Sequence, residues 1–414
     1  MKTIGILKNT VQDYAWGSLA DIPELLGLPA TGRPQAELWM GAHPKAPSQV
    51  YHEGKWESLL DAIQSHPAEV LGHKAAETFG GKLPYLFKVL AAARPLSVQA
   101  HPNADQAKEG FARENRLKIP LTAPHRNYKD DNHKPECICA LSKFWGMNSF
   151  RRIPEIVTYL GALCGEVLKN EIDLLKKQPD STGLKHLFQT LLTLPAEQKL
   201  AAIAEGISKA EYFKGNADPV FTWIQRLHDE YPKDIGALFP ALLNLYCLTP
   251  GQALFLAAGE PHAYLEGLGI ELMANSDNVL RGGLTEKHLD VPELLTTLTF
   301  QEQLPSVILP NPLNDVEWVY QTPAAEFSLS MISPIPGLCW ISHKDRSADI
   351  LLCTQGQVVV DGGLGHEPIH LHKGMSVIVS ASVGEYRLYG SGVCYKASVP
   401  GPSGFMLDMR SAET

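Results

Sequence analysis

Apolar residues along this chain change their rhythm three times. Through residues 1–150 they come in short runs, at 4–7, 38–40, 86–90 and 96–100, punctuated by Gly and Pro. Runs of that length predict strands, with helices between them around 56–63, 67–79 and 104–115. From 151 to 245 the spacing becomes helical. Ile156, Tyr159, Leu160 and Leu163 share one face; Leu184, Leu187, Phe188 and Leu191 share another. Leu200, Ile203, Ile207 and Tyr212, then Val220, Phe221, Ile224 and Leu227, repeat the pattern. Pro195, Pro219 and Pro232 fall between these stretches, where proline opens or ends a helix. After Pro250 the strand rhythm returns at 252–257. Asp-Val-Pro-Glu at 290–293 predicts a helix start, with Asp290 as N-cap and Glu293 completing a capping box.

The last stretch is strand-rich, with apolar runs at 327–332, 350–352, 357–360, 376–379 and 386–388 separated by glycine turns. It predicts a small sandwich or barrel. The expected fold is therefore mainly β with a helical insertion. Residues 1–150 and 246–304 form one discontinuous β domain, 151–245 an all-helical domain, and 305–414 a C-terminal β domain. A helical insertion closed in this way returns the chain after 246 to the strands before 150.

Composition removes alternatives. A chain of 414 residues exceeds one typical core. Net charge of -9 with no long basic run argues against a nucleic-acid partner. Seven scattered cysteines (Cys137, Cys139, Cys164, Cys247, Cys339, Cys353, Cys394) suit reduced thiols better than a disulfide framework. No apolar run reaches the roughly 18–20 residues that span a bilayer, and the start MKTIGILKNTVQDYAWG carries no signal-peptide pattern. No membrane association is expected, and the cytoplasm is the default location.

Three fragments carry candidate chemistry. In Ser97-Val98-Gln99-Ala100-His101, strand alternation puts Ser97, Gln99 and His101 on one face. In Tyr128-Lys129-Asp130-Asp131-Asn132-His133-Lys134-Pro135-Glu136, a polar block runs into an apolar strand, so Glu136 shares a face with Ile138 and Ala140 while Cys137 and Cys139 point away. That spacing does not suit a zinc ribbon. The third fragment is Glu260-Pro261-His262, just after a strand. Each alone reads as a solvent-facing edge, a polar loop or a hydrogen-bonded structural histidine. Together Gln99, His101, Glu136 and His262 make a nitrogen and oxygen donor set for one divalent ion, zinc first, with manganese, cobalt and iron as alternatives. One carboxylate cancels only part of its charge, which favours polarising a substrate oxygen over a structural role.

At these residues the chain closely resembles the type I phosphomannose isomerases (mannose-6-phosphate isomerases). YKDDNHKPE at 128–136 matches the family signature Y-x-D-x-N-H-K-P-E at every fixed position. The match continues through AELWMGAHP at 36–44, LPYLFKVL at 83–90, PLSVQAHPN at 95–103 and PHAYLEGLGIELMANSDNVLRGGLT at 261–285. The resemblance implies a cupin-type β-barrel, a helical domain and a second, metal-free cupin-like barrel; His372-Lys373-Gly374 looks like part of that second one. It implies one Zn2+ per chain on Gln99, His101, Glu136 and His262. AAGEPHAY at 257–264 departs mildly from the family pattern, with Gly-Glu where a small polar pair is usual.

The implied reaction interconverts mannose 6-phosphate and fructose 6-phosphate through a cis-enediol. Glu271 is the favoured C2 base and Lys134 its rival; His133 and Asp277 are candidates for ring opening or proton relay. Arg281, Lys88, Ser97, Lys134 and Lys287 are the candidates for the phosphate, which needs cations and hydroxyls. Such an enzyme serves mannose metabolism, with breakdown and GDP-mannose biosynthesis both open. It needs no obligate protein partner, and a monomer is expected. The alternatives are a metal-dependent cupin oxidoreductase and a non-catalytic sugar-phosphate sensor.

Overall fold

Strand periodicity puts alternate residues on opposite faces, and both faces of the central strands here are buried against something. The computed structural model describes residues 3–213, 215 and 217–401, so residues 402–414 of the expected C-terminal domain lie outside the described residues. The chain is mostly β sheet with helices. One sheet runs, strand by strand, Val307–Ile308, Ala253–Leu256, Glu136–Ala140, His262–Ala274, Tyr85–Ala92, Glu37–Met40 and Thr10–Gln12. A second layer, made of Leu243–Leu248, Phe144–Phe150, Val98–Ala100 and Leu280–Gly283, joins it through the strand His262–Ala274.

That long strand belongs to both layers. Its second half, from Gly267, pairs with Tyr85–Ala92 and Glu136–Ala140. Its first half pairs with Gln99 and with Phe144–Phe150. The corner lies at a bulge between Tyr264 and Glu266, followed by Gly267 at φ +134°. A Cβ on Gly267 would sit 2.6 Å from the Lys143 carbonyl and 2.8 Å from Phe144 Cα, so only glycine fits the corner.

The faces divide as the alternation predicts. Ile138 and Ala140 pack inward with Leu90, Tyr246, Leu256 and Tyr264. Cys137 and Cys139 point out, into a core shared with Ile350, Leu352, Ile378 and Ala397 of the C-terminal sheet. Likewise Val98, Ala100, Ala263 and Leu265 face outward into the helical core around Leu184, Phe188 and Phe239. The helices Ile153–Cys164, Lys169–Lys177, Ser181–Thr193, Ala196–Tyr212 and Pro219–Glu230 thus back the very strands that turn Gln99, His101 and His262 inward.

Several boundaries differ from the sequence reading. The expected helix 67–79 is two, Pro67–Leu71 and His73–Thr78, broken at Gly72 with φ +85°. Residues 55–58 form a strand, and the helix after them is Leu59–Ser65. The runs at 350–352 and 357–360 merge into one strand, Asp349–Asp361. Asp290 does cap the helix Val291–Thr297, accepting from Glu293 N at 3.1 Å, but Glu293 turns its carboxylate to Tyr128 and Arg113. The largest difference concerns Ile4–Lys8. Rather than joining the first β region, it pairs with Ser376–Val379 of the C-terminal sheet, and Gln49–His52 and Lys55–Ser58 extend that sheet. Among the described residues no helix is long and apolar enough to cross a membrane.

Candidate metal centre

His101, Glu136 and His262 come from separate strand regions of the two layers and meet in the space between them. Their ligand-type atoms all lie within 4.8 Å of one another, and all three residues are buried. His101 Nε2 is 3.3 Å from Glu136 Oε1, and His262 Nε2 is 3.4 Å from Glu136 Oε2. The outer ring nitrogens are already committed. His101 Nδ1 donates to the Asn278 carbonyl at 2.7 Å, and His262 Nδ1 to the Glu260 carbonyl at 3.0 Å. Because a carbonyl only accepts, each Nδ1 carries the proton and each Nε2 presents a lone pair inward. Both Nε2 atoms and Glu136 Oε2 are buried with no hydrogen-bond partner. Burying one polar atom unpaired costs about 1–3 kcal/mol, so three converging on one point describe a cation site. Burial, with Lys134 adding to it, pushes His101 down to about 4, leaving the ring neutral as a ligand must be.

Gln99 is the fourth residue of the expected donor set. It lies directly opposite His262 in the strand pairing, and cross-strand partners share a face. On its other side Gln99 pairs with Arg281. A row of Arg281, Gln99 and His262 therefore crosses the layer on the inner face. The signature segment is held beside it by backbone bonds. Glu114, on the helix Ala104–Arg116, accepts from Asn127 N and Tyr128 N at 3.0 and 2.9 Å. Gly110 of the same helix lies so close to the Tyr128 ring that a Cβ would meet it at 2.3 Å. Asn278 Oδ1 accepts from Lys129 N, and its Nδ2 donates to the carbonyls of Asp130 and Asn132 at 2.9 Å each.

Next to the three ligands is a second buried charge cluster. Glu271 and Lys88 are cross-strand partners, with Nζ 2.9 Å from Oε2. Burial raises the Glu271 carboxyl above its ordinary value, and the nearby Glu136 and Glu37 charges add to this against Lys88. Lys134 Nζ lies 2.7 Å from Glu136 Oε1.

Residues 4–153 match the family model for the phosphomannose isomerase type I catalytic domain. The mannose-6-phosphate isomerase of Escherichia coli (strain K12) is 41% identical over 389 residues, covering 93% of this chain and 97% of that enzyme. The Homo sapiens mannose-6-phosphate isomerase is 34% identical over 405 residues, covering 91% and 93%. The chain belongs to the type I mannose-6-phosphate isomerase family. A solved member of that family, the Salmonella typhimurium enzyme with substrate (f6p) and zinc bound, superposes with a TM-score of 0.89 at 38% identity, covering 96% of this chain and all of that one.

Within this mannose-6-phosphate isomerase fold the remaining sequence candidates separate. Arg281 is half-buried and makes no ion pair among the described residues; burial lowers its basicity, and burial together with Arg281 lowers that of Lys287. Neither side chain has an acidic partner among the described residues. Ser97 is half-buried and immediately precedes the strand Val98–Ala100. Lys88, a phosphate candidate by the resemblance, has its ammonium between the Glu271 and Glu37 carboxylates, with the Trp39 ring centroid 5.4 Å away. Asp277 pairs with Lys45 Nζ at 2.8 Å and His43 Nε2 at 3.5 Å. Burial works against its ionisation, but those two partners hold its carboxyl below the usual range. His133 Nε2 lies 2.6 Å from Glu326 Oε1, a residue of the C-terminal part of the chain. Sequence reasoning missed Glu37, Asn278 and Glu326. Glu37 and Asn278 sit within the matched motifs as polar residues in apolar company; nothing in the sequence around Glu326 marks it.

Proposed function

We infer that the protein interconverts mannose 6-phosphate and fructose 6-phosphate, using one zinc ion per chain held by Gln99, His101, Glu136 and His262. The observation that carries this reading is the cross-strand row. Arg281 stands two strand spacings from His262, about 10 Å, a span that matches the distance from the C1–C2 end of a hexose 6-phosphate to its phosphate. A cation at one end and a metal site at the other define the ligand by length and charge.

Bound there, zinc supplies Lewis-acid stabilisation of the charge that develops on the C1 and C2 oxygens. The chain supplies the rest. Glu271 takes the C2 proton and returns it to C1 across the cis-enediol; its raised proton affinity suits a general base. Lys88 orients that carboxylate through Oε2. Lys134, paired with Glu136, is the alternative proton carrier. Arg281, with Lys287 and Ser97, takes the phosphate. His133 and Asp277 serve ring opening. The enclosing fold is read as a cupin-type barrel with a helical domain and a second, metal-free cupin-like barrel. Its units are 1–150 with 246–304, 151–245 and 305–414, the first lending the strand Ile4–Lys8 to the third. The chain acts as a cytoplasmic monomer in mannose metabolism.

A coupled isomerase assay on purified protein, before and after chelation, tests the reading, with metal content measured on the same sample. Turnover that disappears with zinc and returns with it is the expected result. Sugar oxidation with oxygen uptake, or tight sugar-phosphate binding without turnover, would replace it.

A further inference from the structure

We propose that Glu37 is a positioning residue for the base: it holds the far side of Lys88, so that the ammonium is shared and does not pair with Glu271 alone. The proposal rests on the reading of Glu271 as the C2 base.

Glu37, Trp39, Lys88 and Glu271 lie on three neighbouring strands. Lys88 is directly opposite Trp39 on one side and Glu271 on the other. Its Nζ is 2.9 Å from Glu271 Oε2 and 3.6 Å from Glu37 Oε2. The same Glu37 oxygen accepts the Trp39 indole N–H at 2.6 Å. Glu37 is 8% exposed, Lys88 6% and Glu271 3%. Two carboxylates therefore face one ammonium in a buried cluster.

Packing does not account for the second carboxylate. A Lys88–Glu271 pair alone would be neutral, and burying one more ion costs several kcal/mol unless it is compensated. The indole needs only an acceptor, which a neutral amide oxygen supplies as well. What the charge adds is competition for Lys88. With Glu37 on its far side at 3.6 Å, the ammonium's charge is shared while Nζ stays hydrogen-bonded to Glu271 at 2.9 Å, and the like charge of Glu37 strengthens Glu271 as a proton acceptor. Of the other charged groups around Glu271, Glu136 acts in the same sense and Lys134 opposes it. A base locked in an exclusive buried ion pair must break that pair to accept a proton; a base with a shared partner need not. Trp39 makes the sharing geometric, since its N–H anchors the Glu37 oxygen that faces Lys88.

Glu37→Gln keeps an acceptor for Trp39 and removes only the charge. In the zinc-loaded full chain the expected result is unchanged zinc content, KM within about twofold of the parent, and kcat and C2-proton exchange with solvent both reduced roughly tenfold or more. Glu37→Leu should add a loss of thermal stability from the broken indole bond. Wild-type kcat in Glu37→Gln overturns the proposal and leaves Glu37 as an acceptor for Trp39. If that variant folds poorly, Glu37→Asp and Glu37→Asn, matched in size and differing in charge, repeat the comparison; equal kcat in the pair also overturns it. Glu271→Gln, measured alongside, separates the two ideas. Exchange that survives there removes the base assignment itself, whereas an inactive Glu271→Gln with a fully active Glu37→Gln removes only the role of Glu37.

Discussion

His101 donates through Nδ1 to the backbone carbonyl of Asn278, which is itself fully buried, so a single residue fixes both a metal ligand and the signature loop. The Asn278 carboxamide bonds Lys129 N, Asp130 O and Asn132 O, while its main chain orients the imidazole. Asn278→Asp keeps the acceptor, loses the three Nδ2 donor bonds and adds a buried charge. Outer contacts of this kind typically cost ten- to a hundred-fold in metal affinity. Competition with a zinc chelator should show a loss in that range, with activity recovering at high zinc. Unchanged affinity would mean that the loop holds His101 without this clamp.

Arg281 makes no ion pair among the described residues, and its register with Gln99 puts it on the inner face. Charged hydrogen bonds contribute about 1.5–3 kcal/mol. Arg281→Ala should therefore raise KM for mannose 6-phosphate roughly ten- to a hundred-fold, with zinc content unchanged. Steady-state kinetics with metal analysis decide it; a normal KM would move the phosphate elsewhere.

The strand corner at Gly267 predicts a loss of stability with a structural cause. Its φ of +134° and the 2.6 Å approach to the Lys143 carbonyl leave no room for a methyl group. Gly267→Ala should cost about 1–3 kcal/mol and lower the thermal midpoint of zinc-loaded protein. A midpoint equal to the parent would show that the corner relaxes freely.

In the C-terminal sheet, Glu317 accepts from Lys396 Nζ at 2.7 Å and from the Trp340 indole at 2.6 Å. Burial alone would raise its carboxyl, but Lys396 and these bonds hold it below its ordinary 4.5. A carboxyl depressed in the folded state contributes stability that is present above the unfolded value and is lost as pH falls through the folded one. The thermal midpoint should thus drop below about pH 4.5, and Glu317→Gln should flatten that acid limb while lowering the midpoint at neutral pH. Parallel acid limbs in the two proteins would remove Glu317 as a contributor.

What the sequence determined by itself was local. The side-chain period of two placed Gln99 and His101 opposite Val98 and Ala100, and Glu136 opposite Cys137, before any partner strand was known. The helical spacing between 151 and 245 was equally legible because it repeats over a few residues, and the signature loop because its residues are contiguous. The tertiary structure decided everything that depends on which distant strands pair. It sent Ile4–Lys8 to Ser376–Val379, because a strand's neighbour is chosen by sheet closure and not by sequence position. It put Lys88 against Glu271 and Glu37, and it brought Glu326 onto His133 across 193 residues. Charges find partners through space, and a buried ammonium takes the carboxylates that the register sets beside it.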